Sequence, residues 1–151
     1  MPRTSPCLWF DHQAEEAANF YVSVFPNARI KAISHYAEGM PLPAGTVLTV
    51  SFELDGQDYL ALNGGPVFQF TPAISLMVHC QTQRELDDFW HKLSDGGQTS
   101  QCGWLTDRYG LSWQIVPAVL PSLMAEPVRA QRVMKAIMGM TKLDISVLEG
   151  A

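Results

Sequence analysis

The sequence predicts an α+β fold in which one βαβββ unit is used twice, and three observations carry that reading. Apolar residues alternate at strand spacing in several short runs, and two helical patterns each follow an apolar strand. The helices also share a landmark, because "NFY" at Asn19, Phe20 and Tyr21 is echoed by "DFW" at Asp88, Phe89 and Trp90. The modules are placed at residues 1–68 and 69–118, with a helical tail over 119–151, all in one structural domain. A chain of 151 residues that is 47% hydrophobic and 17% charged can bury a core of that size.

In the first module an apolar strand runs from Ser5 to Phe10, and Asp11 offers an N-cap oxygen to a helix from about Gln13 to Val24. Ala14, Ala17, Ala18, Tyr21 and Phe25 recur there at helical spacing, and Pro26-Asn27 stops the helix. Arg29 to Tyr36 forms a second strand, and the two prolines of "EGMPLPAG" mark a loop. From Thr46 to Leu54 the alternation is clean: Leu48, Val50, Phe52 and Leu54 on one face, Thr49, Ser51 and Glu53 on the other. Asp55-Gly56 then suits a type I′ hairpin turn, whose two central positions need positive φ, and a strand returns from Gln57 to Asn63.

The second module repeats the order. Ala73 to Cys80 is a strand, Thr82 caps a helix from about Gln83 to Ser94, "DGG" ends it at a left-handed glycine, and Ser112 to Pro117 is the last strand. Asp107 and Tyr109 fall in a turn, where Asp serves its own backbone. In the tail, Pro127 opens a helix with a stripe of Val128, Val133, Met134, Ile137 and Met138, and Thr141 caps a short last helix carrying Leu143, Ile145 and Leu148. That tail needs a surface to cover, its own sheet or a partner subunit.

Several function classes are excluded on composition. A net charge of −5 with only 10 scattered Lys and Arg offers no face for a phosphate backbone, so no nucleic-acid partner is expected. No apolar run reaches the ~18 residues of a membrane span, and "MPRTSPCLWF" lacks a signal-peptide core, so a cytoplasmic location is expected. Cys7, Cys80 and Cys102 are odd in number, widely spaced and without a CxxC, which suits reduced thiols rather than disulfides or structural zinc.

The stretches "LWFDHQAEEAANFYVSVFPNARI", "YLALNGGP" and "QCGWLTDRYGLSWQIVP" resemble the PhnB-like branch of the vicinal oxygen chelate superfamily, the group that includes glyoxalase I, extradiol dioxygenases and bleomycin-resistance proteins. The resemblance extends into "AQRVMKAIMGMTKLDI". It implies that each βαβββ unit forms a curved mixed sheet, a half-barrel with its helix outside and a cavity inside, and that the chain is a homodimer. Metal-using relatives place four inward His and Glu ligands at positions that fall near Ser5 or Pro6, Ala61, Ala73 and Gln114. Three of these carry no good ligand and a neutral amide oxygen is a poor one, so no cofactor is expected. A divalent metal held by His35, Glu53 and His79 is the lesser alternative.

On the reading that Leu60, Leu62, Ile74, Leu76, Val78, Trp113 and Ile115 face the helices, the opposite faces carry the cavity. The ligand-binding candidates are then Gln114, Ser112, Tyr59, Asn63, Ser75, His79, Glu53 and Trp104. Two roles are open for Gln114: an amide bridging strands, or a donor and acceptor aimed at a ligand. His12 and His91 read as solvent-exposed, Trp9, Trp90 and Trp113 as core aromatics, and Cys102 as an accessible thiol without a paired base.

The expected function is binding of a small, partly apolar molecule in a concave pocket without a strong metal site. The alternative is a lyase, isomerase or transferase of the same superfamily with a non-standard or absent metal. Relatives often carry a demethylubiquinone 3-methyltransferase label, but the only glycine doublets, "NGGP" and "DGGQ", do not form the strand-to-helix turn of a dinucleotide-type fold, and methyl transfer is not expected.

Overall fold

The computed structural model describes residues 2–151. The chain divides into two compact units, one through Gln69 and one from Phe70 onward, each with an open four-stranded mixed sheet. Among the described residues, no helix is long and apolar enough to cross a membrane.

The first unit contains β1 (Cys7–Phe10), α1 (Ala14–Val24), β2 (Ala28–His35), β3 (Val47–Leu54) and β4 (Gln57–Asn63). The sheet order is β1-β4-β3-β2, with β1 parallel to β4 and the other pairs antiparallel. Asp55 and Gly56 sit at φ 50° and 82°, the positive pair a type I′ turn demands. Three alanines, Ala14, Ala17 and Ala18, let α1 lie close on the sheet, where Tyr21 packs against Phe52 with ring centroids 6.1 Å apart. Leu8, Phe10, Val50, Leu54 and Ala61 complete this core.

Three expectations for this unit are corrected. Asp11 does not cap α1: the cap residue, Gln13, makes no side-chain cap bond, and the Asn63 Oδ1 accepts the Ala14 amide at 2.8 Å instead. The faces of β4 are also reversed. Directly paired residues share a face, so Ala61 (opposite Val50) and Tyr59 (opposite Phe52) lie beneath α1, while Leu60 and Leu62 lie with Ser51 and Thr49 on the open side. Trp9, opposite Leu62, is on that open side too. It is half-buried rather than a core residue, donating its indole N–H to the Gly65 carbonyl at 2.9 Å and meeting Phe68 edge-on.

The second unit contains β5 (Ser75–Cys80), α2 (Gln83–Ser94), β6 (Gln98–Thr99), β7 (Trp104–Thr106) and β8 (Ser112–Pro117), ordered β5-β8-β7-β6. As in the first unit, the opening and closing strands are the parallel pair. Thr82 Oγ1 accepts the Glu85 amide at 3.1 Å and Gly96 takes φ 78°, so both ends of α2 form as the sequence reads. Leu86, Phe89, Trp90 and Leu93 of α2 are buried, as are Val78, Cys80, Leu105, Trp113 and Ile115 of the sheet. The echoed motifs thus have a packing meaning, because Tyr21 of α1 and both Phe89 and Trp90 of α2 are buried aromatics. Ile74 falls before β5 and is 64% exposed, not part of the core.

The tail forms α3 (Leu120–Leu123), α4 (Pro127–Met138) and α5 (Ile145–Glu149). Leu143, Ile145 and Leu148 are buried as expected. Only Val133 and Ile137 of the α4 stripe are buried; Val128, Met134 and Met138 are exposed, because a single i, i+4 line meets the protein. Asp144, rather than Thr141, caps α5 through its bond from the Val147 amide.

Candidate functional site

On the open side of the second sheet, alternation places Ser75, Met77 and His79 of β5 beside Ser112, Gln114 and Val116 of β8, with Trp104 and Thr106 of β7 next in register. The opposite side is packed by Trp113 and Ile115, which are 1% and 0% exposed. Gln114 is half-buried and its amide nitrogen donates to Ser75 Oγ at 2.9 Å. This bond ties β8 to β5 and orients the amide, leaving its carbonyl oxygen as an acceptor with no described partner in the hydrogen bonds of the chain. Trp104 is the direct cross-strand neighbour of Gln114.

Beside this face opens a cleft of about 360 Å³, with Trp104, Thr106, Ser112, Cys102, Gln101 and Ser100 in its lining. None of its lining residues carries a charge. The loop that shapes it has two residues in the left-handed region, Cys102 at φ 64° and Gly103 at φ 82°. Backbone bonds explain how that conformation is held: the Cys102 amide donates to the Met140 carbonyl and the Gly103 amide to the Thr141 carbonyl, both at 2.8 Å. A Cβ at position 103 would stand 3.0 Å from Leu143 and 3.1 Å from the Ile115 carbonyl, so glycine permits this approach.

The same tail segment is clamped from α2. Gln83 donates to the Leu143 carbonyl at 3.0 Å and accepts the Ile145 amide at 2.8 Å, while Lys142 pairs with Asp87 at 2.9 Å. Hydrogen bonds from Gln83 and then Lys142 hold the Asp87 carboxyl below its ordinary value. Residues 140–145 therefore form a strap from α2 to the cleft loop, and nothing in the sequence pattern marks Gln83 as its anchor.

Asp107 is 3% exposed and belongs to the turn: its Oδ1 accepts the Tyr109 and Leu111 amides and its Oδ2 the Trp113 indole N–H at 2.9 Å. His79 is exposed on β5, and the tail of the candidate set in the first unit disperses. Asn63 is 3% exposed and caps α1, with its Nδ2 bonded to the Val47 carbonyl at 3.0 Å. Tyr59 stacks on Phe52, its ring centroid 5.4 Å away, and burial raises its phenol pKa with help from Asp55. Glu53 does lie on the open side, but Arg29 occupies it at 3.4 Å. Of the eight candidates, the structure brings together Gln114, Ser75, Ser112 and Trp104.

The residues present do not fit a divalent ion. Ala61 is 0% exposed under α1, Ala73 precedes β5, and the Gln114 amide is a neutral group already bonded to Ser75. Among the described residues, no group of three or more His, Cys, Asp or Glu side chains could hold a metal.

A comparison with curated proteins gives no match. Among solved structures, the PhnB protein from Bacillus cereus is 38% identical over 77% of this chain and 98% of its own, with a TM-score of 0.70. A protein from Pseudomonas aeruginosa shares the fold at 18% identity, covering 78% of this chain and 97% of its own, with a TM-score of 0.64. The fosfomycin resistance protein FosX from Listeria monocytogenes, solved with Mn(II) and sulfate, shares it at 13% identity, 78% and 89% coverage and a TM-score of 0.54. The family model described as 3-demethylubiquinone-9 3-methyltransferase matches residues 2–116, leaving the strap and its helices outside the match. With that match across both sheets and the identity to the PhnB protein, this chain belongs to that family, a PhnB-like branch of the vicinal oxygen chelate superfamily.

Proposed function

We propose that the chain binds a small, partly apolar molecule on the open side of its sheet without a strong metal site. The observation that carries this reading is the Gln114 amide, fixed by Ser75 at 2.9 Å on a face that Trp104 shares and that a 360 Å³ cleft adjoins. An oriented neutral amide beside an aromatic side chain suits a ligand with a few hydrogen-bonding groups on an apolar body. The glycine doublets support the non-methyltransferase part of the reading. A Cβ on Gly64 would stand 2.3 Å from the Trp9 ring and one on Gly97 2.1 Å from the Thr106 carbonyl, so both glycines serve close packing.

A second reading, an enzyme of the superfamily acting on a small molecule, draws support from the FosX fold, whose structure holds Mn(II). Thermal shift of the purified protein against Mn, Ni, Zn and Fe, alongside a small-molecule library, separates the two. A ligand that raises the melting temperature while the metals do not, and whose effect disappears in Gln114→Leu, supports binding. Stoichiometric metal with a large shift, or turnover of the bound compound, moves the assignment to the enzyme. The same proposal takes the chain as a homodimer, since β2 and β6 each leave an open sheet edge; a monomer in sedimentation velocity removes that part.

A further inference from the structure

The cleft of the second unit restricts the chemistry of what it can hold. Its lining contains no Asp, Glu, Lys, Arg or His, so an ion entering it would give up hydration without meeting an opposite charge. One lining group can take a ligand as its hydrogen-bond partner. Ser112 is 2% exposed, and its hydroxyl makes no hydrogen bond to the other described residues, although it borders the cleft. A hydroxyl in a cleft wall that is paired by water alone can exchange that water for a ligand group of matching hydrogen-bonding capacity. Beside it stands Trp104, half-buried, whose indole offers a flat apolar surface, with the Thr106 side chain on the same strand.

Building on the binding reading above, we propose that this cleft is a subsite for an uncharged, planar group bearing a carbonyl or amide, laid against Trp104 and hydrogen-bonded by the Ser112 hydroxyl. The hydroxyl both donates and accepts, so it pairs with a carbonyl oxygen or an amide N–H of the guest. A volume of about 360 Å³ admits a substituted aromatic ring and falls within the usual range for small-molecule sites.

The cysteines provide the test without a known ligand. Cys102 lines the cleft and is half-exposed, Cys7 is exposed in the other unit, and Cys80 is buried. Labelling of each thiol by N-ethylmaleimide is followed by mass spectrometry in the presence of benzamide, benzoate or benzamidine, which share a ring and differ in charge. Benzamide is expected to slow Cys102 severalfold relative to Cys7, with benzoate and benzamidine without effect. Ser112→Ala should abolish that protection while Cys80 stays unlabelled, which reports an intact fold. Absence of protection by benzamide, or equal protection by either ion, overturns the proposal; the charge series in the parent protein decides this even if the variant does not fold. A library ligand still lost in Gln114→Leu would then show that the subsite fails and the broader binding reading stands.

Discussion

The Asn63 side chain accepts the Ala14 amide at 2.8 Å across 49 residues of sequence, so the first turn of α1 is capped from the end of β4. Its amide nitrogen simultaneously holds the Val47 carbonyl at 3.0 Å. One 3%-exposed side chain therefore fixes the helix to two strands. Asn63→Ala leaves a helix amide and a strand carbonyl unpaired, and should cost about 1 to 3 kcal/mol in urea unfolding. Asp11→Ala should change stability by less than about 0.5 kcal/mol, since Asp11 supplies no cap. Equal losses in the two variants would contradict this account.

What the sequence could and could not disclose follows from the range of the interactions involved. The face of β8 was legible because Trp113 and Ile115 contrast with Ser112 and Gln114, and the structure buries the first pair against α2. In β4 both faces are apolar, and the larger leucines at 60 and 62 suggested the wrong one; only the pairing of Ala61 with Val50 decides it. Local capping rules see Asp11 beside the helix but cannot see Asn63. The strands β6 and β7 have two and three residues, too few for alternation to show. The cleft was equally hidden, since its wall depends on backbone bonds from Cys102 and Gly103 to residues 140 and 141.

Glycine at position 97 has a steric reason that substitution exposes. Its missing Cβ would meet the Thr106 carbonyl at 2.1 Å and the Asp107 backbone within 3 Å, and backbone atoms of a paired strand have no rotamer by which to withdraw. Gly97→Ala should therefore lower stability by more than about 2 kcal/mol. At Gly139 a Cβ would meet nothing closer than 3.6 Å, and Gly139→Ala should stay within about 0.5 kcal/mol of the parent. Parallel urea midpoints check the contrast; a well-tolerated alanine at 97 would mean that β6 and β7 approach less closely.

The thiol of Cys80 is pushed up to about 12 by burial, with the nearby Glu85 carboxylate adding to the shift. The folded state thus favours the neutral thiol. Its contribution to stability is complete below the ordinary value of 9.0 and is lost as pH rises from there towards about 12. Two results should follow: maleimide reaches Cys80 only after unfolding, and Cys80→Ser reduces the alkaline fall in stability measured by denaturant titration. Labelling of Cys80 in the folded protein at neutral pH as fast as Cys7 would contradict its burial.

Gln83 makes the strap depend on α2, and its removal should be felt in the cleft. Gln83→Ala releases the Leu143 carbonyl and the Ile145 amide, a loss of about 1 to 3 kcal/mol. Because residues 140 and 141 hold the Cys102 loop, the variant should also raise Cys102 labelling relative to Cys7 under native conditions. Asp87 adds a pH dependence of known sign. Its carboxyl is held below the ordinary 3.8 by bonds from Gln83 and Lys142, so the stabilisation is present above that value and lost as pH falls through the depressed one. Asp87→Asn should flatten the acid limb of the stability profile below about pH 4. Gln83→Ala should flatten it in part, because Lys142 remains; an unchanged acid limb in both variants, with Cys102 labelling at the parent rate, would show that the strap stands without this anchor.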